Sequence, residues 1–351
     1  MLTSEFDYHL PTERIAQAPV EPRDASRLLV VHRDTGAFAH CHFRDITTYL
    51  RPGDVLVANE TRVIPARLRA RKHPSGGSVE VLLLARRDPL RWEALVRGRR
   101  VPVGQRLTFT SPGHASAMGV PAASVEATVE AITPSGGRLL RFDEPVDGRL
   151  ASLGEVPLPP YIHQALADPQ RYQTVYARTE GSTAAPTAGL HFTPDLIART
   201  QALGVEWTTV LLHIGLDTFR PVTEERIEDH RIHTEYCRLS AQAAATINRA
   251  ESEGRRVIAV GTTSVRVLET AARAAEGAGV RPWDGPTDLF ITPGYRFRVV
   301  DALVTNFHLP RSSLLMLVSA FASRDLILRA YEEAIREGYR FYSLGDGMLI
   351  L

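Results

Sequence analysis

The feature that most constrains this chain is a change of rhythm between about residues 61 and 150. Short apolar stretches recur there, at 63–68, 79–84, 92–96, 106–109, 124–132 and 138–142. Pro and Gly punctuate them, as in His73-Pro74-Ser75-Gly76-Gly77, Val101-Pro102-Val103-Gly104 and Pro134-Ser135-Gly136-Gly137. No helical period lies between. Strands this short and closely spaced bury an apolar face by pairing antiparallel, which predicts a β-barrel or sandwich.

Outside that segment strands and helices alternate. Thr193-Pro194-Asp195 supplies an N-cap, a first-turn Pro and an acidic first turn, and Gly204 stops the helix 194–203. A strand follows at 205–212, then an Ala-rich helix at 240–253. The apolar run 257–260 leads through Gly261-Thr262-Thr263-Ser264 into a helix; a strand at 299–305 precedes helices at 312–322 and 324–337. Strands at 27–32 and 55–59 join the same sheet. Such alternation implies a sheet with helices packed on it. At 351 residues the chain exceeds what one core usually serves. The expectation is a discontinuous α/β domain (1–60 and 151–351) with an inserted all-β, antiparallel β-barrel domain at 61–150.

The 41 basic and 40 acidic side chains sum to +1, which argues against a uniformly basic nucleic-acid binder or an acidic disordered chain. The sum hides a segment. Residues 61–107 hold 12 basic and three acidic side chains, a net +9, so the rest carries −8. That stretch reads either as solvated strand faces or as a surface for a polyanion. Two cysteines, Cys41 and Cys237, make no disulfide scaffold and suit a reducing compartment. The start lacks a basic segment followed by an apolar run, and the apolar run 314–322 is too short to span a bilayer, so a soluble, cytoplasmic protein is expected, with no membrane partner.

Three strand-to-helix junctions carry chemistry-bearing residues: Ala185-Pro186-Thr187-Ala188-Gly189-Leu190-His191, Gly261-Thr262-Thr263-Ser264-Val265-Arg266, and Thr305-Asn306-Phe307-His308 running on to Ser312. Each precedes a helix, whose free N–H groups and positive dipole end suit an anion or carboxylate. Ordinary capping explains any one of them; three together suggest a shared pocket at the carboxyl ends of strands. His213 and Asp217 could meet near Gly215, and His233 and Glu235 could form an acid–base pair. His230, His233 and Cys237 have a spacing a metal could use, but no further pair completes a ligand set. P-loop, G-x-G-x-x-G and G-x-S-x-G signatures are missing, which disfavours an NTPase, a Rossmann enzyme and an α/β-hydrolase.

Taken in order, Phe6-Asp7-Tyr8-His9-Leu10-Pro11, Asn59-Glu60-Thr61-Arg62-Val63, Pro186-Thr187-Ala188-Gly189-Leu190-His191-Phe192-Thr193, His213-Ile214-Gly215-Leu216-Asp217-Thr218-Phe219, His233-Thr234-Glu235, Gly261-Thr262-Thr263-Ser264-Val265-Arg266, Thr305-Asn306-Phe307-His308-Leu309-Pro310 and Gly345-Asp346-Gly347-Met348 carry a likeness. The chain resembles the S-adenosylmethionine:tRNA ribosyltransferase-isomerase family of queuosine biosynthesis, over nearly its full length. The resemblance implies a β-barrel inserted in an α/β domain, S-adenosylmethionine as co-substrate, no metal, and a partner tRNA carrying 7-aminomethyl-7-deazaguanine at the wobble position. It implies transfer and isomerisation of the ribosyl group to give epoxyqueuosine-tRNA, adenine and methionine. Catalytic candidates are then His191, His213, His233 and His308, with Asp217 and Glu235 as partners. Thr187, Gly189, Thr262, Thr263, Arg266, Asn306 and Ser312 are candidates for holding S-adenosylmethionine. Asn59, Arg62, Arg97, Arg99 and Arg100 are candidates for contacting tRNA. Tyr161, Tyr172, Trp207 and Phe219 could stack on a base or simply pack. A monomer is expected. The competing classes are an S-adenosylmethionine-dependent RNA methyltransferase and a noncatalytic RNA-binding protein.

Overall fold

The computed structural model describes residues 1–110, 124–133, 136–164, 166–215, 222–275 and 277–351. Contacts divide the chain into two compact units: Met1–Thr61, Pro160–Thr179 and Ala185–Leu351 form one, and Arg62–Pro159 with Glu180–Ala184 the other.

The first unit is built on a mixed sheet. Its strands are β1 (Arg27–Val31), β2 (Phe38–His42), β3 (Val55–Asn59), β4 (Glu206–Leu212), β5 (Glu235–Leu239), β6 (Val257–Val260), β7 (Trp283–Thr287), β8 (Ala302–Asn306) and β9 (Gly347–Ile350). Their spatial order is β7-β5-β4-β3-β6-β8-β9-β1-β2. The four central strands, β4, β3, β6 and β8, run parallel. β9 then pairs antiparallel with β8, and β5 antiparallel with β4. Central strands covered on both faces need continuous apolar sequence, and Val55–Asn59, Val257–Val260 and Ala302–Asn306 are buried at every position. β5 instead alternates, with Glu235, Cys237 and Leu239 buried and Tyr236 and Arg238 exposed. Pro286 is tolerated in β7 because that strand is an edge.

The helices are α1 (Pro194–Ala202), α2 (Ala241–Ser252), α3 (Thr262–Ala274), α4 (Ser313–Ala322) and α5 (Arg324–Arg336). Thr193, Ser240 and Ser312 accept first-turn N–H groups as N-caps, each within one residue of the helix start that capping chemistry predicts. Phe43, Phe192, Leu196, Ile258 and Val304 share one core against the sheet. No helix among the described residues is long and apolar enough to cross a membrane.

The second unit holds the strand-rich segment as a closed antiparallel barrel. Strands Arg67–His73, Ser78–Arg86, Arg91–Arg97, Arg138–Phe142, Ser124–Ile132 and Arg106–Thr110 pair in that order, and the last closes onto the first. Its inward residues include Leu68, Val81, Ala94, Leu107, Val129 and Phe142, all buried. The first barrel strand begins at Arg67, later than the apolar run 63–68 predicts. Pro65 has no N–H for a ladder, and beyond it Leu68 and Ala70 alternate inward with Arg69 and Arg71. The basic excess is also milder than the 61–107 window suggests. Residues 62–159 hold 15 basic and nine acidic side chains, a net +6. Arg69, Arg86, Arg87, Arg91 and Arg106 all face acidic partners within the barrel unit.

Candidate functional site

The carboxyl ends of the parallel strands meet in one cleft. β6 delivers Gly261, Thr262 and Thr263, β8 delivers Thr305 and Asn306, and His308 follows two residues on. The 3-10 turn Thr187–His191 closes one side through Thr187 and Ala188. Ile214, Leu314, Tyr342 and Ser343 complete the lining, which encloses about 470 Å³ with its open mouth. It lies at the carboxyl ends of the strands, where α/β sheets place their ligands.

Gly261 is the N-cap of α3, with φ +89°, a conformation that strains any side chain bearing a Cβ. It has no side chain with which to cap, so the first-turn amides of α3 stay open to a carboxylate in the cleft. Tyr342 is also at positive φ, 76°, on the cleft wall. Its N–H donates to Phe307 O (3.2 Å), and its carbonyl accepts from Gly345 N (3.0 Å) and from Asn306 Nδ2 (3.3 Å). Those bonds hold a conformation that costs a non-glycine residue about 1–3 kcal/mol.

Asn306 organises the floor. Its Oδ1 accepts from the Thr187 hydroxyl (3.1 Å) and its amide donates to Nε2 of His191 (3.2 Å). With Nε2 accepting, Nδ1 of His191 carries the proton and donates to Ser26 Oγ (2.7 Å), whose hydroxyl donates to Arg23 O (3.1 Å). His191 also stacks on Phe43, with centroids 4.7 Å apart. Burial, followed by the charges of Arg340 and Arg23, pushes its pKa down to about 3. Burial likewise takes His308 to about 3. His308 exchanges a hydrogen bond with Thr305 Oγ1 (2.9 Å), and its backbone is tied to Tyr331 OH (2.9 Å) and to the Tyr8 hydroxyl. His213 bonds Thr61 Oγ1 through Nδ1 (2.8 Å), and burial and Arg238 lower it to about 4. All three are therefore neutral at cellular pH.

Of the four nominated histidines, His308 alone lines the cleft among the described residues. His191 reaches it through Asn306. His233 is exposed ahead of β5. Among the described residues, Glu235 is engaged by partners on other segments. It is buried, takes the Gly215 N–H on Oε1 (2.9 Å) and pairs through Oε2 with Arg266. Arg266 is correspondingly engaged: beyond Glu235 it donates to Leu289 O (3.2 Å) and Thr287 O (3.5 Å) and lies outside the cleft lining. Asp217 and Phe219 lie outside the described residues.

Other nominated residues make contacts within the protein. Ser312 caps α4, accepting from Leu315 N (3.1 Å) and donating to Leu309 O (2.8 Å). Gly189 is required by packing, because a Cβ there would meet Tyr176 OH at 1.9 Å. Asn59 has no exposed atom; its amide bridges β3 to Leu212 O (2.9 Å), Leu212 N (3.1 Å) and Thr263 Oγ1 (3.2 Å), so it presents nothing to a tRNA. Tyr172 is fully buried and Trp207 packs edge-on to Tyr176 and Phe192. Arg62, in the barrel unit, lies half-buried 3.9 Å from Glu180. Arg97, Arg99 and Arg100 are exposed in that unit and make no ion pair among the described residues. His230 bonds Glu224 (2.9 Å) and Cys237 is buried in the sheet; no three His, Cys, Asp or Glu side chains of the described residues converge as a metal site needs.

Ile214, Leu314, Tyr342, Ser343 and Ser26 were not foreseen. The two serines reach partners more than 100 residues away in sequence, His191 for Ser26 and Tyr161 for Ser343.

A family model described as Queuosine biosynthesis protein matches residues 3–350. Curated relatives named S-adenosylmethionine:tRNA ribosyltransferase-isomerase include one from Moorella thermoacetica, 57% identical over 100% of both chains. Another, from Thermus thermophilus, is 56% identical over 99% of this chain and 98% of its own. A crystal structure of S-adenosylmethionine tRNA ribosyltransferase from Thermotoga maritima is 41% identical, covers 99% of this chain and 100% of that one, and superposes with a TM-score of 0.56.

Proposed function

Since the chain belongs to the queuosine biosynthesis protein family, we propose that it is an S-adenosylmethionine:tRNA ribosyltransferase-isomerase. In this reading it moves the ribosyl part of S-adenosylmethionine onto 7-aminomethyl-7-deazaguanine at the wobble position of tRNA. Epoxyqueuosine-tRNA, adenine and methionine are the products, and a tRNA substrate places the enzyme in the cytoplasm.

The observation that carries this reading is the cleft itself: an uncapped helix start and a neutral buried imidazole around one opening, with a second imidazole held behind it by Asn306. The methionine carboxylate docks on the first-turn amides of α3, where the helix dipole and free N–H groups favour an anion. Thr187, Thr262 and Thr263 offer hydroxyls for the ribose and adenine. The sulfonium acidifies the adjacent 5′ carbon, so a base that removes its proton can start the rearrangement that expels adenine.

We assign the proton transfer to His308, the histidine that lines the cleft; burial keeps its ring neutral and so open to accept a proton. His191, locked as the Nδ1–H tautomer by Asn306 and Ser26, positions the cleft floor. Residues 61–150 act as a tRNA-handling domain, with Arg97, Arg99 and Arg100 contacting phosphates. Single-stranded loop bases are the usual target of sequence-specific RNA recognition. The test is adenine release from S-adenosylmethionine with precursor tRNA as acceptor. Release that depends on the modified wobble base supports the reading; saturating tRNA with no release would favour a noncatalytic RNA-binding protein.

A further inference from the structure

Three arginines from distant parts of the chain meet in a hollow beside the cleft. Arg23, Arg171 and Arg340 line it together with Ser26, His191 and Ser343. Ser343 also lines the cleft, so the two openings share a wall. The Asn306–His191 hydrogen bond (3.2 Å) spans the same partition.

The three cations are matched differently. Arg171 faces the exposed Glu21, and Arg340 faces Asp346 at 3.3 Å. Arg23 makes no ion pair among the described residues. Its Nη1 donates to Leu190 O (3.3 Å) and its Nη2 to Gln170 O (3.1 Å). Each guanidinium has five N–H donors, and these contacts leave several on Arg23 uncommitted. Asp168 adds a third carboxylate near Arg23, so the charges balance, and what stands out is the guanidinium of Arg23 with uncommitted N–H groups. Burial and the neighbouring Arg171 push Arg23 down to about 10, with Glu21 and Asp168 offsetting this only in part. Arg340 and Arg23 also help depress His191. A partly dehydrated guanidinium with uncommitted N–H groups is stabilised by an oxyanion, and guanidinium forks match phosphate oxygens.

We propose that this hollow holds a phosphodiester of the RNA strand next to the nucleotide whose base enters the cleft. The proposal rests on the cleft being the reaction site, as read above. The phosphate sets the register of the strand, while the base is read on the other side of the Ser343 wall. Phosphate contacts fix position in this way without reading sequence.

The test measures binding of a precursor anticodon stem-loop to the full chain across salt concentrations. Arg23→Gln should weaken binding about tenfold and lower the slope of log affinity against log salt by about 0.7, as loss of one single-strand phosphate contact does. Arg23→Lys, which keeps the charge but loses the fork, should retain the slope. Arg340→Gln provides a second variant should Arg23→Gln fail to fold. Inorganic phosphate, compared with chloride at equal ionic strength, should displace the stem-loop from the wild type and not from Arg23→Gln. An unchanged slope in Arg23→Gln would overturn the proposal, as would phosphate acting equally on both proteins. Loss of S-adenosylmethionine binding in place of RNA binding would also overturn it. Wild-type protein that binds the stem-loop but releases no adenine would instead overturn the reading of the cleft.

Discussion

Removing one member of the Glu235–Arg266 pair decides whether Glu235 is scaffold or chemistry. Arg266 is 4% exposed and Glu235 7%, on α3 and β5. In Glu235→Ala the guanidinium keeps only the Leu289 and Thr287 carbonyls, and the Gly215 N–H loses its acceptor. Breaking a buried pair by deleting one partner costs roughly 3–5 kcal/mol, because the remaining charge is uncompensated. Against a typical total of about 5–15 kcal/mol this is a large share. At about 2–4 °C per kcal/mol it lowers Tm by roughly 6–20 °C. Arg266→Met should cost a similar amount. The double variant Glu235→Leu/Arg266→Met should recover much of the loss, since an apolar pair leaves no buried charge. Urea and thermal unfolding of wild type, Glu235→Leu, Arg266→Met and the double variant supply the cycle. If Glu235→Ala stays within about 1 kcal/mol of wild type while turnover collapses, the scaffold assignment is wrong and Glu235 acts on substrate.

The other predictions concern the cleft and the charges. His308→Gln should lower turnover by about 10²–10⁴, the usual contribution of a proton-transfer group, with S-adenosylmethionine still bound; full turnover would remove it from the mechanism. Acid should unfold the protein early. His191, His213 and His308 titrate near 6.5 when unfolded but near 3, 4 and 3 when folded. The folded state thus binds fewer protons below pH 6.5, so stability is full above that value and falls as pH drops toward 4. The loss is at most about 1.4 kcal/mol per pH unit for each fully buried histidine, and less for half-buried His213. A urea midpoint that stays flat from pH 7.5 to 4.5 would refute this. Replacing Arg97, Arg99 and Arg100 with Gln should lower the salt slope of tRNA binding by about 2, at 0.7 per contact; an unchanged slope would return them to solvated surface.

Elements whose physics is local were legible in the sequence. Val257–Val260 is apolar throughout and buried throughout, and Thr193-Pro194-Asp195 starts α1 where capping demands. The barrel was readable from its punctuation. β5 was missed because its polar alternation places Glu235 inward, where it looked like chemistry rather than packing. What decides Glu235's role is Arg266, 31 residues away, and no short-range pattern encodes that meeting. The three junction loops pointed correctly to one cleft, since strand ends converge wherever parallel strands are neighbours. Which side chains face that cleft depends on hydrogen bonds between distant segments, such as Thr187 to Asn306 across 119 residues. The same reason hid the arginine hollow, whose members come from positions 23, 171 and 340.

The central claim is that S-adenosylmethionine gives up its ribosyl group. The direct measurement uses two labelled forms of it, one labelled in the ribose and one in the methyl group, each incubated with enzyme and precursor tRNA. The account predicts ribose label in the tRNA, adenine released in equal amount, and methyl label recovered in free methionine. Methyl label in the tRNA would contradict it and identify a methyltransferase instead.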